Sequence, residues 1–256
     1  MFSMNVCRRM CSIGASINQR AVYLHQNAVV KPHQKAILET SVIQGIRYRQ
    51  ATQADRELLR EGLKKYFYPD DPFTNFHYSG SAVDPDDMEC ALGIIDTGLM
   101  ILAVDEETGE LGGFAGSSII GPDEPTKFLQ LASEAQTKKF ADIHRLLAHI
   151  AINARICERF GVDKAYYFSV TGVNPKFRRN AIATKLQLKH FQLAHLHGIN
   201  VICVDCTNPA SALAIGGYGM ECVFTMKYAD FKDDNGRVLF NGTENCTELK
   251  TYAMRI

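Results

Sequence analysis

The stretch Asn174-Pro-Lys-Phe-Arg-Arg-Asn-Ala-Ile-Ala-Thr-Lys185 decides how the rest of the chain is read. An apolar, aromatic run from Ala165 to Val173 leads straight into it and reads as a strand. Residues 178 to 197 carry a helical pattern. Between strand and helix stand the paired Arg178 and Arg179, then side chains of little bulk, Ala181 and Ala183. A helix amino terminus presents unpaired backbone N–H groups and a partial positive charge. Neighbouring guanidinium groups add fixed charge and forked donors, and small residues let a phosphate approach the backbone. From Lys164 to Val204 there is no acidic residue, while Lys164, Lys176, Arg178, Arg179, Lys185 and Lys189 fall inside that span. The segment reads as a pyrophosphate cradle, with a solvated basic helix face as the alternative. Gly-x4-Gly-Lys-Ser/Thr and Gly-x-Gly-x-x-Gly are both absent, which excludes a P-loop and a dinucleotide fingerprint.

Working outward, Ile46 to Thr52 alternates as a strand, and Thr52 opens a helix with Leu58, Leu59 and Leu63 on one face. Tyr66 to Tyr78 is rich in aromatic residues and broken by Pro69 and Pro72, so it is a loop or a set of short helices. Asp84-Pro-Asp-Asp starts a helix running through Ile95. Leu99 to Val104 and Leu111 to Ile120 form a hairpin around a polar turn, and residues 127 to 160 are helical in two pieces. A strand at 200–207, a short helix at 209–217 and closing strands at 222–231 and 249–254 complete the pattern. The sum is one α/β domain with a mixed sheet, from 46 to 256.

The 256 residues are 46% hydrophobic and 22% charged, enough apolar material for a sizeable core. With 28 basic and 28 acidic residues the net charge is zero, which excludes a nucleic-acid polycation. No run of about 18 apolar residues exists, so no membrane partner is expected. Cys203 and Cys206 lie three apart on a strand and so point to opposite faces. They read as buried thiols rather than half a zinc site, and no metal is expected. The first 38 residues hold no Asp or Glu but carry Arg8, Arg9, Arg20, Lys31 and Lys35. Residues 1–45 therefore read as a basic, disordered tail or a mitochondrial presequence. The expected compartment is the cytoplasm, with the mitochondrion as the alternative, and the expected state is a monomer.

The residues from Val173 to Ala183 resemble the signature of the GNAT superfamily of N-acetyltransferases, Gln/Arg-x-x-Gly-x-Gly/Ala between a strand and a helix. Asn208-x-x-Ser211, followed by Gly219, is similar to that family's block beside the pantetheine arm. Within the superfamily, three features resemble the insect-type arylalkylamine N-acetyltransferases: Phe67-Tyr-Pro-Asp-Asp71-Pro72, Cys206-x4-Ser211-Ala, and Phe224-x-Met-x-Tyr-Ala-Asp-Phe231. The resemblance implies a GNAT-like, mostly antiparallel sheet flanked by helices. It implies acetyl-CoA as cosubstrate, a small amine as acceptor and no metal.

By the same resemblance, Val173, Arg178, Arg179, Asn180, Ala181, Ile182, Ala183 and Asn208 bind the cofactor. The Val173 N–H faces the oxyanion, Asp71 is the general base acting through water, and Ser211 is the acid for the leaving thiolate. The chain departs from the family at Ala181 in place of glycine, at Asp71 in place of glutamate, at Asn208 in place of a serine, and at Ile215 where many members carry a tyrosine. The implied acceptor is an arylalkylamine of the dopamine, serotonin, tyramine or octopamine type. A polyamine, an amino acid, a protein lysine, or an inactive acyl-CoA-binding protein remain as alternatives.

Overall fold

The computed structural model describes residues 40–256. The acid-free stretch to residue 38, with the presequence expected there, lies outside them. The sheet begins five residues before the expected domain start. Ser41–Ile43 (β1) turns through Gln44 and Gly45 onto Ile46–Gln50 (β2), with Ser41 opposite Tyr48. Arg56–Tyr66 (α1) follows a single 3-10 turn in which Thr52 and Asp55 form a capping box. The aromatic loop carries one short helix, Pro72–Asn75 (α2), and leads to Pro85–Thr97 (α3). The hairpin is Met100–Asp105 (β3) and Leu111–Ile120 (β4).

The helical stretch comes in three pieces rather than two: Glu124–Glu134 (α4), Lys138–Ala154 (α5) and Ile156–Phe160 (α6). Arg155 separates the last two because it sits at φ 48° in the left-handed region. Ala165–Val173 (β5), Ile182–Leu196 (α7), Val201–Cys206 (β6), Pro209–Gly216 (α8), Glu221–Lys227 (β7) and Glu248–Arg255 (β8) complete the chain. The eight strands lie in the order β1-β2-β3-β4-β5-β6-β8-β7. Every neighbouring pair is antiparallel except β5 and β6.

Pleating sends alternate residues of β4 to opposite faces. On one face Gly113 lies against Ile182 and Leu186 of α7. On the other, Phe114 and Gly116 lie against α1 and α3, through Gly62 and Ile94. A buried polar knot holds α7 to the sheet. His190 Nε2 lies 3.0 Å from the Ala115 carbonyl, and Nδ1 lies 2.8 Å from the Tyr166 hydroxyl and 3.1 Å from Ser117 Oγ. Burial pushes the His190 pKa down to about 4, so the ring is neutral: Nε2 donates and Nδ1 accepts. Cys203 packs with the α6 side of the sheet and Cys206 with the main core, on opposite faces as the strand period requires.

Two irregularities shape the centre of the sheet. Gly116 pairs with Val170 but Ser117 pairs with Phe168, so Ser169 is an extra residue bulging from β5. Beyond it, Gly172 lets α1 close on the strand. A Cβ there would stand 2.5 Å from Phe114 Cζ and 3.2 Å from the Tyr66 carbonyl. Phe114 is fully buried and has nowhere to move. Gly172→Ala is therefore expected to destabilise the protein by about 2 kcal/mol through overpacking. Urea denaturation checks this, and an unchanged midpoint would show that α1 has slack.

Candidate active site

β5 and β6 are register partners only at Tyr166–Ile202, Tyr167–Cys203 and Phe168–Val204. From there they diverge, β5 held by β4 and β6 held by β8. The Asn174 N–H donates to the Gly112 carbonyl at 3.0 Å, which makes Val173–Gly113 a non-hydrogen-bonded antiparallel pair. The Val173 N–H thus points away from β4 and into the gap. A cavity of about 450 Å³ fills this gap and crosses the sheet, with walls from α1, α3, α4, α5, β5, β6, α7 and α8.

At one end of the cavity lies the expected phosphate cradle. Asn174 caps a 3-10 turn at Pro175–Phe177 by accepting from the Lys176 N–H. The helix then begins at Ile182, four residues later than expected. Arg179 at φ 68° and Ala181 at φ 54° occupy the left-handed region, so the chain winds twice before it enters α7. The first-turn amides of α7, from Ile182 to Thr184, precede the first helical donor, since Lys185 N–H is the group that bonds the Ala181 carbonyl. Ile182 itself is buried in the core, while Arg178, Arg179, Asn180 and Ala181 are exposed at the opening. Arg178 and Ala183 line the cavity.

Ala181, standing where the family has glycine, is the left-handed N-cap residue and not a residue within the helix. At that position a Cβ is strained by about 1–2 kcal/mol.

Asn208 and Ser211 sit on the same side of the cavity as a capping box. The Asn208 side chain accepts from Ser211 N–H at 2.9 Å, and Ser211 Oγ donates to the Asn208 carbonyl at 2.8 Å. Ser211 therefore reaches the cavity, but its hydroxyl proton already has an acceptor. Tyr228 closes this corner by donating from its hydroxyl to the Thr207 carbonyl at 2.6 Å.

The other end of the cavity is made by the aromatic loop. Tyr66, Phe67, Tyr68 and Phe73 line it, whereas Phe76 and Tyr78 pack into a separate cluster around Tyr228 and Phe240. Asp71 caps α2: its Oδ2 accepts from the Thr74 N–H at 2.9 Å and the Thr74 hydroxyl at 2.8 Å. Burial pushes its carboxyl up, with the Thr74 donors and the Phe73 amide pulling the other way. Asp70, the neighbour, is exposed and lies 3.6 Å from Arg178. The loop is stapled from below by Lys139, a buried ammonium whose Nζ donates to the carbonyls of Thr74, Gly80 and Ala82 at 2.6, 2.8 and 2.9 Å.

Three further carboxylates line the cavity that sequence reasoning did not single out: Asp87, Glu124 and Asp205. Burial, then the Asp71 charge, lifts Asp87 to about 7. Burial lifts Glu124 to about 7 against the pull of Lys127, whose Nζ is 3.5 Å away. Burial also raises Asp205, which accepts from the Tyr167 and Thr251 hydroxyls at 2.8 and 2.6 Å. His144 is on the wall too, neutral because burial drops it to about 4, with Nδ1 2.9 Å from the Phe140 carbonyl. Among the described residues, no group of three His, Cys, Asp or Glu side chains is placed to hold a metal ion.

No family model matches the chain. Among solved structures, a mosquito arylalkylamine N-acetyltransferase, like 5b, is 27% identical over 82% of this chain and 100% of its own, with a TM-score of 0.79. A Drosophila melanogaster polyamine N-acetyltransferase that forms N-acetylagmatine is 22% identical over 82% and 100%, with a TM-score of 0.77. Arylalkylamine N-acetyltransferase 2 from Aedes aegypti is 23% identical over 83% and 100%, with a TM-score of 0.75. The chain has the GNAT fold of the N-acetyltransferases. Within that superfamily its structural neighbours are the insect arylalkylamine and polyamine N-acetyltransferases.

The strained opening of α7 gives a stability test. Ala181→Gly removes the left-handed penalty but loosens the unfolded chain by about 0.4–1 kcal/mol. Thermal unfolding is expected to show a variant as stable as the parent, or more stable by up to about 1 kcal/mol. A clear loss of stability would mean that the Ala181 methyl makes a contact outweighing its backbone strain.

Proposed function

We propose that the protein transfers the acetyl group of acetyl-CoA to the primary amine of an arylalkylamine. One observation carries the proposal: a single cavity whose two ends have opposite electrostatic character, joined where β5 leaves β6. A cationic helix opening with free amides suits a pyrophosphate. Carboxylates among aromatic rings suit an ammonium on an aryl side chain.

Arg178, Arg179 and the Ile182 and Ala183 amides hold the anionic end of the cosubstrate, beside Asn180 and Ala181. Asn208 lines the path of its arm. The Val173 N–H faces the thioester oxygen and stabilises the charge that develops there during attack. Only an unprotonated amine attacks, so a carboxylate at the amine end accepts its proton, directly or through water. Asp71 is the one that the loop motif points to. Ser211 is the hydroxyl on the thiolate side; giving its proton to sulfur means exchanging its acceptor from the Asn208 carbonyl. The chain's contribution is alignment, a dry cavity and placed charge.

A second reading has its own observation. Glu124 and Asp205 lie on the cavity wall with only Lys127, at 3.5 Å from Glu124, as a nearby cation. Buried carboxylates normally face a positive charge. A diamine or an aminoguanidine with a distal cation would supply one.

Thiol release from acetyl-CoA, measured over a panel of aryl, aliphatic, diamine and guanidino amines, separates the readings. Arylalkylamines are expected to give the highest kcat/KM. Preference for the diamines would favour the second reading, and no release with any amine would refute both. Replacing Arg178 and Arg179 together by Ala is expected to weaken acetyl-CoA binding by about tenfold or more per arginine. Calorimetry is the check, and unchanged affinity would place the phosphates elsewhere.

A further inference from the structure

Asp87 has no place in the loop motif, yet its setting differs from that of the other acids at its helix start. Asp84 caps α3 through the Asp86 N–H and also accepts from Thr137 Oγ1. Asp86 accepts from the Gln136 N–H at 3.1 Å. Among the described residues, neither a capping bond nor an ion pair engages Asp87, and it lies on the cavity wall. Across from it stands Asp71, whose Oδ2 is already occupied by both Thr74 donors. Between loop and helix, the Tyr68 hydroxyl is buried in a residue only 2% exposed and faces the Asp87 carboxyl. Two carboxylates and a buried phenol converge on one wall of the cavity.

We infer that Asp87 and Asp71 act as a pair on the acceptor amine, with Asp71 holding the ammonium and Asp87 taking its proton. The inference rests on the acetyltransferase reading and refines it. The division of labour follows from geometry. Asp71 is fixed by its helix cap and offers one oxygen to orient the ammonium. The Tyr68 phenol is the donor that faces the Asp87 carboxyl, and no helix cap holds it. The groups facing Asp87 are Asp71 and Tyr68 from the loop, Asp84 and Cys90 from its own helix, and Lys139 from α5. Burial and Asp71 push the Asp87 carboxyl up, and Lys139 only partly offsets them. A carboxylate near 7 is matched to proton abstraction at neutral pH.

The protons balance as follows. One N–H bond of the ammonium breaks and an O–H bond forms on Asp87. The amine lone pair then makes the C–N bond as the C–S bond breaks. Ser211 gives its proton to the thiolate, the second amine proton replaces it on the Ser211 oxygen, and Asp87 returns its proton to water.

The test compares Asp87→Asn, Asp87→Glu and Asp71→Asn in the full chain, with melting temperatures to establish folding. Thiol release is followed between pH 5.5 and 9 with two acceptors. One is an ordinary arylalkylamine; the other is its side-chain-fluorinated analogue, which is largely neutral at assay pH. Asp87→Asn is expected to lose about 10²-fold or more in kcat/KM on the ordinary amine. It should keep activity to within about tenfold on the fluorinated one, which needs no base before attack. Asp87→Glu should recover much of the loss, and the acidic limb of the pH profile should move or vanish in Asp87→Asn. A folded Asp87→Asn with normal kcat/KM and an unaltered acidic limb would overturn the inference and leave Asp71 as the base. Equal losses on both amines, or a change in KM alone, would also overturn it, reducing Asp87 to a binding group. Inactivity of the parent chain on every amine would instead fell the acetyltransferase reading itself.

Discussion

The parting of β5 from β6 is the constraint on which the rest of the site depends. Two parallel strands that stayed paired would use the inward N–H groups of β5 and leave no passage through the sheet. Here only three register pairs form before the strands separate. Each remains anchored on its outer side, so the gap is held open by the sheet and not by a loop. The extra residue at Ser169 sits at the start of the separation. Such a bulge adds local twist and re-aims the strand beyond it. The free Val173 N–H, the helix opening that follows and the cavity across the sheet are all consequences of this one departure from regular pairing.

On the aromatic-loop side, order comes from a buried charge. Lys139 gives each of its three protons to a carbonyl of the 74–82 segment, which fixes a loop too short and too proline-rich to make its own ladder. The far end of the loop is tied into the closing segment, with Tyr78 N–H on the Leu239 carbonyl and Asn241 N–H on the Phe76 carbonyl. Removing a buried ammonium of this kind costs more than its hydrogen bonds, because Asp71, Asp84 and Asp87 lose the cation that faces them. Lys139 thus joins two tasks. It shapes the pocket wall, and it limits how far burial raises the carboxyls on that wall.

The order of elements was legible in the sequence because the strong patterns were: alternation in β2, apolar runs in β3 to β5, the Leu58, Leu59 and Leu63 face of α1, and the helical pattern of α7. Asp71 was legible because a motif surrounds it. The misses share a cause. Arg155, Arg179 and Ala181 adopt the left-handed backbone without glycine to announce it, so one helix was drawn unbroken and another four residues too long. β1 is three residues long and depends on its partner across a tight turn. Asp87 looked like one more acid in a first helical turn, where acids are favoured anyway. Only the packing of that turn against the aromatic loop separates it from Asp84 and Asp86. Glu124 and Asp205 were hidden likewise, each reading as an ordinary polar residue beside a turn or at a strand end.

The two halves of the cavity meet at Arg178 and Asp70. Their side chains are 57% and 75% exposed and stand 3.6 Å apart. An ion pair that open to water contributes little, about 0–1 kcal/mol at most. It therefore holds Arg178 over the cavity mouth without competing strongly with a phosphate, whose charge is larger and whose oxygens match the guanidinium fork. An anion at the helix opening that drew Arg178 away would leave Asp70, beside Asp71, without this cation. The weakness of the pair leaves the guanidinium available to either partner.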